Sequence, residues 1–305
     1  MLETKEIQRM LNMIYHHGRP LEEARVKHLF FDGSADDVIK ELSRFQNPDG
    51  GFGHALEPDL WNPNSSPIQC WAAINILREL NFDRNAPLVN KLVDYLENTF
   101  DEKTLRWPLL IPSNDEYPHA PWWSYREMEP QFNPSASIAG FLIRYTNPLN
   151  KAFKYANKVA RGAIDYINNT KDAIEVHELN CLVEMMNDVS DLFKHYQPYI
   201  EAKQNMILHI ENTIEKDRSK WFTEYSVRPS FLINSHPSIG SELFFDLVLE
   251  ELDLAVQNRN EDGLWSITWT WDDYPSIYKE AAFIWEAIIA LGYLKMMYEF
   301  GYIKK

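Results

Sequence analysis

Apolar residues three and four positions apart recur along almost the whole chain. They do so over 4–16, 21–31, 35–46, 67–81, 87–100, 135–146, 150–168, 173–188, 198–216, 240–257 and 276–299. That spacing lays one face of an α-helix against a core. In the last segment Ile277, Ala281, Ile284, Trp285, Ile288, Leu291 and Leu294 form a broad apolar stripe. Only 264–271 alternates in the manner of a strand. The pattern predicts eleven helices and an all-α fold, with helices on short connections packing as antiparallel neighbours.

Proline and small polar residues mark where those helices begin. Pro67, Pro134, Pro237 and Pro275 each stand at or near a predicted start. Ser66-Pro67-Ile68-Gln69 reads as a capping box with proline in the first helical position. Asn133-Pro134 repeats the device with Asn as the cap, and Ser34 precedes Asp36-Asp37 at the third helix. Asp273 is a candidate cap for the helix that Pro275 leads.

The chain also repeats itself. One copy runs from a helix through Gln46-Asn-Pro-Asp-Gly50-Gly-Phe52 to a loop and the Pro67 helix. A second runs through Gln257-Asn-Arg-Asn-Glu-Asp-Gly263-Leu-Trp265 to the Pro275 helix. Both carry Gln-Asn, an acid directly before glycine and an aromatic two residues after a glycine. Weaker copies pass through Trp107 to Pro134 and through Trp221 to Pro237. Self-similarity of this kind signals stacked supersecondary units, here an outer helix, a loop and an inner helix. If the Pro67 and Pro275 helices are both inner, an even number of steps separates them, whereas the pattern supplies seven. A further helix is therefore expected, at 190–196 or just after Pro237. Twelve helices make a ring of six hairpins in one domain spanning 1–305.

The Gln46, Gly50, Phe52 and Gln257, Gly263, Trp265 spacings resemble the QW repeats of squalene–hopene-type triterpene cyclases. Related turns occur in protein prenyltransferase β subunits. Leu42, four residues before Gln46, also fits the pattern; Asp253, four before Gln257, does not. The resemblance implies an α/α toroid. It does not bring the superfamily's catalytic signatures. Neither Cys70 nor Cys181 stands in the Asp-x-Cys arrangement of the prenyltransferase zinc ligands, and Thr270-Trp271-Asp272-Asp273 lacks the first acid of the cyclase Asp-x-Asp-Asp run. No metal site and no cofactor are expected.

Charge narrows the partners. Against 30 Lys and Arg stand 45 Asp and Glu, a formal net charge of −15, and no basic block exists to face phosphates. Nucleic acid is a poor partner. No run approaches 18 consecutive apolar residues, so no transmembrane segment is expected. The charged MLETKEIQRM start and two unrelated thiols lead to the expectation of a cytoplasmic protein.

The chemistry concentrates between helices. One loop carries His54, Glu57, Asp59 and Trp61; another carries Trp265, Trp269, Trp271, Asp272 and Asp273; the long middle loop adds His119, Trp122, Trp123, Tyr125, Arg126, Glu127 and Glu129. The tryptophans can plug loops over helix ends, or wall a pocket for an apolar or sugar-like ligand. Paired acids can divide into a general acid and an ionised partner when burial separates their pKa values. Asp272, Asp273, Glu57 and Asp59 are thus the catalytic candidates, with His54 and Trp61, Trp122, Trp123, Trp265, Trp269 and Trp271 as substrate-binding candidates. The first reading is acid catalysis on an isoprenoid or similar apolar substrate. The alternatives are a carbohydrate-active hydrolase or lyase with paired carboxylates and tryptophan platforms, and a non-catalytic binding ring.

Overall fold

The computed structural model describes residues 2–303, and they are all-helical. Among them are thirteen α-helices and no β-strand. In chain order these are α1 (Thr4–His17), α2 (Pro20–Phe30), α3 (Ala35–Leu42), α4 (Pro67–Arg78), α5 (Pro87–Thr99), α6 (Ser135–Tyr145) and α7 (Lys151–Asn169). There follow α8 (Val176–Asp188), α9 (Ser190–Phe193), α10 (Gln197–Thr213), α11 (Pro229–Leu232), α12 (Phe245–Gln257) and α13 (Pro275–Glu299). The alternating stretch 264–271 forms no strand. The missing helix is present as α9, inside the expected 190–196 window.

The helix starts follow the cap chemistry in most places. Ser34 Oγ accepts the Asp37 amide at α3, and Ser66 Oγ accepts the Gln69 amide at α4, where Pro67 leads the helix. Two expected caps are displaced. At α6 the flanking residue is Pro134, joined to Asn133 by a cis peptide bond. At α13 it is Tyr274, with φ +54° and no side-chain cap bond, rather than Asp273. Pro237 leads no helix directly, since α12 begins at Phe245.

The chain divides into two compact units: a central one, Phe45–Thr213, and a terminal one made of the chain before Phe45 and after Thr213. In the central unit α6 packs against α7 and α8, and α7 also against α5 and α10. The faces that meet carry Ile138, Phe141, Leu142, Val159, Ile164, Leu179 and Met185, all fully buried. Gly140 makes the α6–α8 approach possible, because a Cβ there would lie 2.7 Å from Met185 Cα. A polar seam joins α4, α6 and α8. Arg78 donates to Asp188 (2.6 Å), to the Ser137 carbonyl (2.8 Å) and to Ser137 Oγ (2.9 Å), and Trp71 Nε1 donates to Glu184 (2.9 Å).

In the terminal unit α13 packs on α1 and α2, α2 on α3, and α11 on α12. The buried residues of α13 include Ala281, Ile284, Ala287, Leu291 and Leu294, part of the predicted stripe. At 25 residues α13 is long and apolar enough to cross a membrane by length and composition; half of its most apolar window is buried within the structure. Glu22 is fully buried on α2 and receives three bonds from Arg19. Burial raises its pKa, but Arg19 and Arg25 outweigh that and hold the carboxyl below its ordinary value.

Candidate functional site

The repeated turn shows first how the loops are built. In the first copy the Asn47 amide donates to the Gly51 carbonyl (2.8 Å) and the Gly50 amide returns to the Asn47 carbonyl (3.0 Å). In the second, Asn260 donates to Leu264 (2.8 Å) and Gly263 to Asn260 (2.9 Å). Gly50 and Gly263 occupy the left-handed region at φ +91° and +82°. The true equivalence is thus Asn47 with Asn260, not Gln46 with Gln257. Gln46 does act as a staple, donating to the Gly50 and Leu88 carbonyls, whereas Gln257 is exposed. A third turn, one residue longer, runs from Asp101 to Trp107: Asp101 and Arg106 exchange backbone bonds, and Leu105 takes φ +56° two residues before the aromatic.

The aromatics at these stations face inward. Phe52, Trp107, Trp221 and Trp265 are buried. Trp107, Trp221 and Trp265 donate their indole N–H to the carbonyls of Leu96, Glu215 and Ala255, near the end of the preceding helix. Such a bond satisfies a carbonyl that the helix terminus leaves open. Trp265 also stacks on Tyr293, 4.4 Å between ring centres. Its contacts make Trp265 a packing residue in place of the expected pocket wall.

Two of the predicted loops meet in the central unit. Residues 54–62 and 118–120 are tied by an isolated antiparallel bridge, Leu60 with His119, through Trp61 N–H to Pro118 (2.9 Å) and Ala120 N–H to Asp59 (2.8 Å). Asn62 reaches Asn114 Oδ1 (3.0 Å), and Asn114 in turn donates to the Trp123 carbonyl (2.9 Å). Glu57 and Asp59 are buried. Glu57 Oε2 accepts the Asp59 amide (3.0 Å), and Gln69 bridges the Glu57 amide and the Leu60 carbonyl. These bonds fix the loop's path. His54 is exposed at φ +60° and pairs with Asn47 Oδ1 (2.9 Å). Trp61 Nε1 donates to the Pro58 carbonyl (2.9 Å). Trp122 is exposed and Trp123 half-buried.

The other candidate set lies in the terminal unit. Asp272 and Asp273 are both exposed, so neither has the burial that would separate their pKa values. Trp271 is buried edge-on to Tyr278 (5.7 Å), and Trp269 packs edge-on to Trp285 (5.5 Å). Nearby, Glu251 is fully buried and accepts from Ser230 N–H (2.7 Å) and Tyr293 OH (2.8 Å). Burial pushes its pKa up, and Arg228, Ser230 and Tyr293 offset only part of that.

A cleft of about 580 Å³ opens in the central unit, lined by Arg106, residues 126–132, Tyr166 and Glu178. The guanidinium carbon of Arg106 lies 3.7 Å from the centre of the Phe132 ring. Its Nη1 donates to the Leu105 carbonyl (2.9 Å), while its Nε is buried without a hydrogen-bond partner. Glu178, nearly buried, accepts the Phe132 amide (2.6 Å) and the Tyr166 hydroxyl (3.1 Å). Burial and then the adjacent Glu178 charge raise the Tyr166 pKa, so the phenol serves as a donor, not a base. Arg126, Glu127, Met128 and Glu129 are exposed along the loop. The middle-loop residues were visible in sequence as a polar and aromatic concentration. Arg106, Tyr166 and Glu178 were not, because only the fold brings them beside that loop.

Among the described residues no group of three or more His, Cys, Asp or Glu side chains could hold a metal ion. Comparison with family models, with curated proteins and with solved structures finds no match. The class defined by the coordinates alone is an all-α helical protein with a charged, aromatic-backed cleft.

Proposed function

We propose that the protein binds a hydroxylated small molecule of sugar size in the cleft between Arg106 and Glu178. The observation that carries this reading is the lining itself: donors from two arginines, a glutamine and a tyrosine, acceptors from Glu127 and Glu129, and a Phe132 face beside them. A cavity of this size suits a mono- or disaccharide. Sugars present alternating donors and acceptors with an apolar ring face, and that is the chemistry these groups match. An isoprenoid would leave them desolvated and unpaired.

The turn repeat supports a second, fold-level reading. Three turns place a left-handed residue two positions before a buried aromatic, as expected of the α/α toroid of terpene cyclases and prenyltransferase β subunits. On that reading Glu57, Asp59, Asp272 or Asp273 would act as an acid on an apolar substrate. The binding test separates the two. Protein labelled with 13C at methionine methyls is titrated with glucose, galactose, their uronic acids and farnesol. The cleft reading expects saturable movement of the Met128 signal, assigned by Met128→Leu, with a sugar. Movement with farnesol alone favours the isoprenoid reading.

A further inference from the structure

Resting on that cleft reading, we infer that its ligand carries a single carboxylate, as a uronic acid does, and that Arg106 receives it. Arg106 is fixed unusually well for a guanidinium. Its backbone exchanges two bonds with Asp101, and the next residue, Trp107, is locked by its indole bond to Leu96 and by amide and carbonyl bonds to Ser135 Oγ. The side chain lies flat on Phe132 and spends one donor on Leu105. The buried Nε–H is left without an acceptor. A guanidinium presents its donors as a planar fork matched to a carboxylate, so an acid bound there pairs the orphaned donor and the charge together.

The protein's own acids leave that role open. Glu178 is nearest in chemistry, but its two oxygens are already taken by Phe132 N–H and Tyr166 OH. Glu127 and Glu129 line the same cleft and are exposed. They suit ligand hydroxyls, which donate to them, and they oppose a second negative charge. Arg126 spends its guanidinium on the Trp122 and Ser124 carbonyls. One carboxylate with neighbouring hydroxyls satisfies the set; a phosphate dianion or a polyanion does not.

The test is calorimetric titration of the intact protein with glucuronate, galacturonate, glucose, galactose and glucose 6-phosphate, with the Met128 methyl as the local report. The expected result is that one uronate binds about tenfold or more tightly than its neutral sugar, with glucose 6-phosphate weaker than the uronate. Arg106→Gln should bring the uronate to within about twofold of the neutral sugar, leaving neutral-sugar affinity and the thermal midpoint in place. Equal binding of acid and neutral sugar by the natural protein overturns this inference and leaves the sugar-cleft reading standing. Binding of neither kind overturns both, and tighter binding of the phosphate overturns the single-charge argument. The comparison between ligands needs no variant, so a poorly folded Arg106→Gln protein leaves it intact.

Discussion

Gly50 and Gly263 sit at equivalent stations of two turns with nearly the same backbone angle, yet their replacement by alanine should cost very different amounts. At both sites an L-residue is forced into the left-handed region, which costs about 1–2 kcal/mol. At Gly263 little else happens. The nearest atoms to an added Cβ belong to the flexible Arg9 side chain, 3.8 Å away, an ordinary contact. At Gly50 the same carbon would lie 2.1 Å from the Lys91 carbonyl oxygen and 2.6 Å from its carbon. Those are backbone atoms within α5, so relief requires moving the helix. Overpacking of this kind adds roughly 1–3 kcal/mol. The shift also strains the Gln46 bond to the Leu88 carbonyl, 2.9 Å in length, worth about 1 kcal/mol.

The expected losses are therefore about 1–2 kcal/mol for Gly263→Ala and about 3–5 kcal/mol for Gly50→Ala. Urea unfolding followed by far-ultraviolet circular dichroism measures both, with midpoints compared at a common slope. Losses equal to within about 0.5 kcal/mol would refute the close approach to α5, since the left-handed strain is common to the pair. A larger loss at Gly263 would refute the reading of both turns.

Four further outcomes follow from the same geometry. Trp265→Phe keeps a ring against Tyr293 but leaves the Ala255 carbonyl without its indole donor; urea unfolding should show a loss of about 1–3 kcal/mol, and no loss would show the staple to be idle. Asp188→Asn removes the partner of Arg78 and Arg144. A loss near 3 kcal/mol is expected, in part recovered in the double variant with Arg78→Met, and a neutral single variant would refute the seam. Glu251 has a pKa raised above its ordinary 4.5 in the folded state. The native protein therefore holds that proton after the unfolded chain has lost it, and stability falls as pH rises from 4.5 through the native value. Glu251→Gln lacks this fall, so the thermal midpoint of the variant minus that of the natural protein should grow more positive from pH 4 to pH 8; a flat or opposite trend contradicts the argument. Asp272→Asn and Asp273→Asn, at exposed positions, should change stability by less than about 0.5 kcal/mol and leave uronate binding in the cleft unaltered.

The helices were legible because a period of 3.6 survives loop variation: every predicted apolar segment overlaps a helix, and counting hairpins even located α9. The turn register was not legible. Glutamine is a conspicuous letter, and aligning Gln46 with Gln257 looks natural. The turn, however, is a hydrogen-bonded ring closed between residue i and residue i+3, and counting back from Gly50 and Gly263 lands on asparagine. Two extra residues after Gln257 carry that glutamine out to solvent. Acids were misjudged for a related reason. Adjacent carboxylates such as Asp272-Asp273 stand out in sequence, but their reactivity depends on burial, and both are exposed. Glu57 and Asp59 are buried, where loop amides such as that of Asp59 consume acceptor capacity. Tryptophan outside helices suggested either a plug or a pocket wall, and the indole bonds of Trp107, Trp221 and Trp265 decide those three as staples.

That staple also explains how a helical scaffold comes to hold a cleft. Arg106 lies between the left-handed Leu105 and the buried Trp107, so the same turn that closes α5 onto its loop aims the guanidinium at Phe132. The α6 start fixes the other wall. Ser135 holds both Trp107 backbone groups, and Glu178 on α8 holds the Phe132 amide. A ligand arriving at Arg106 would find a cation whose freedom is already spent by packing, and the ordering cost of binding falls accordingly. The two glycine copies of the turn lack this arrangement, because Gly51 and Leu264 occupy the position of Arg106. One repeat in the chain thus carries the polar side chain, and the structural device common to all becomes a binding device in that copy alone.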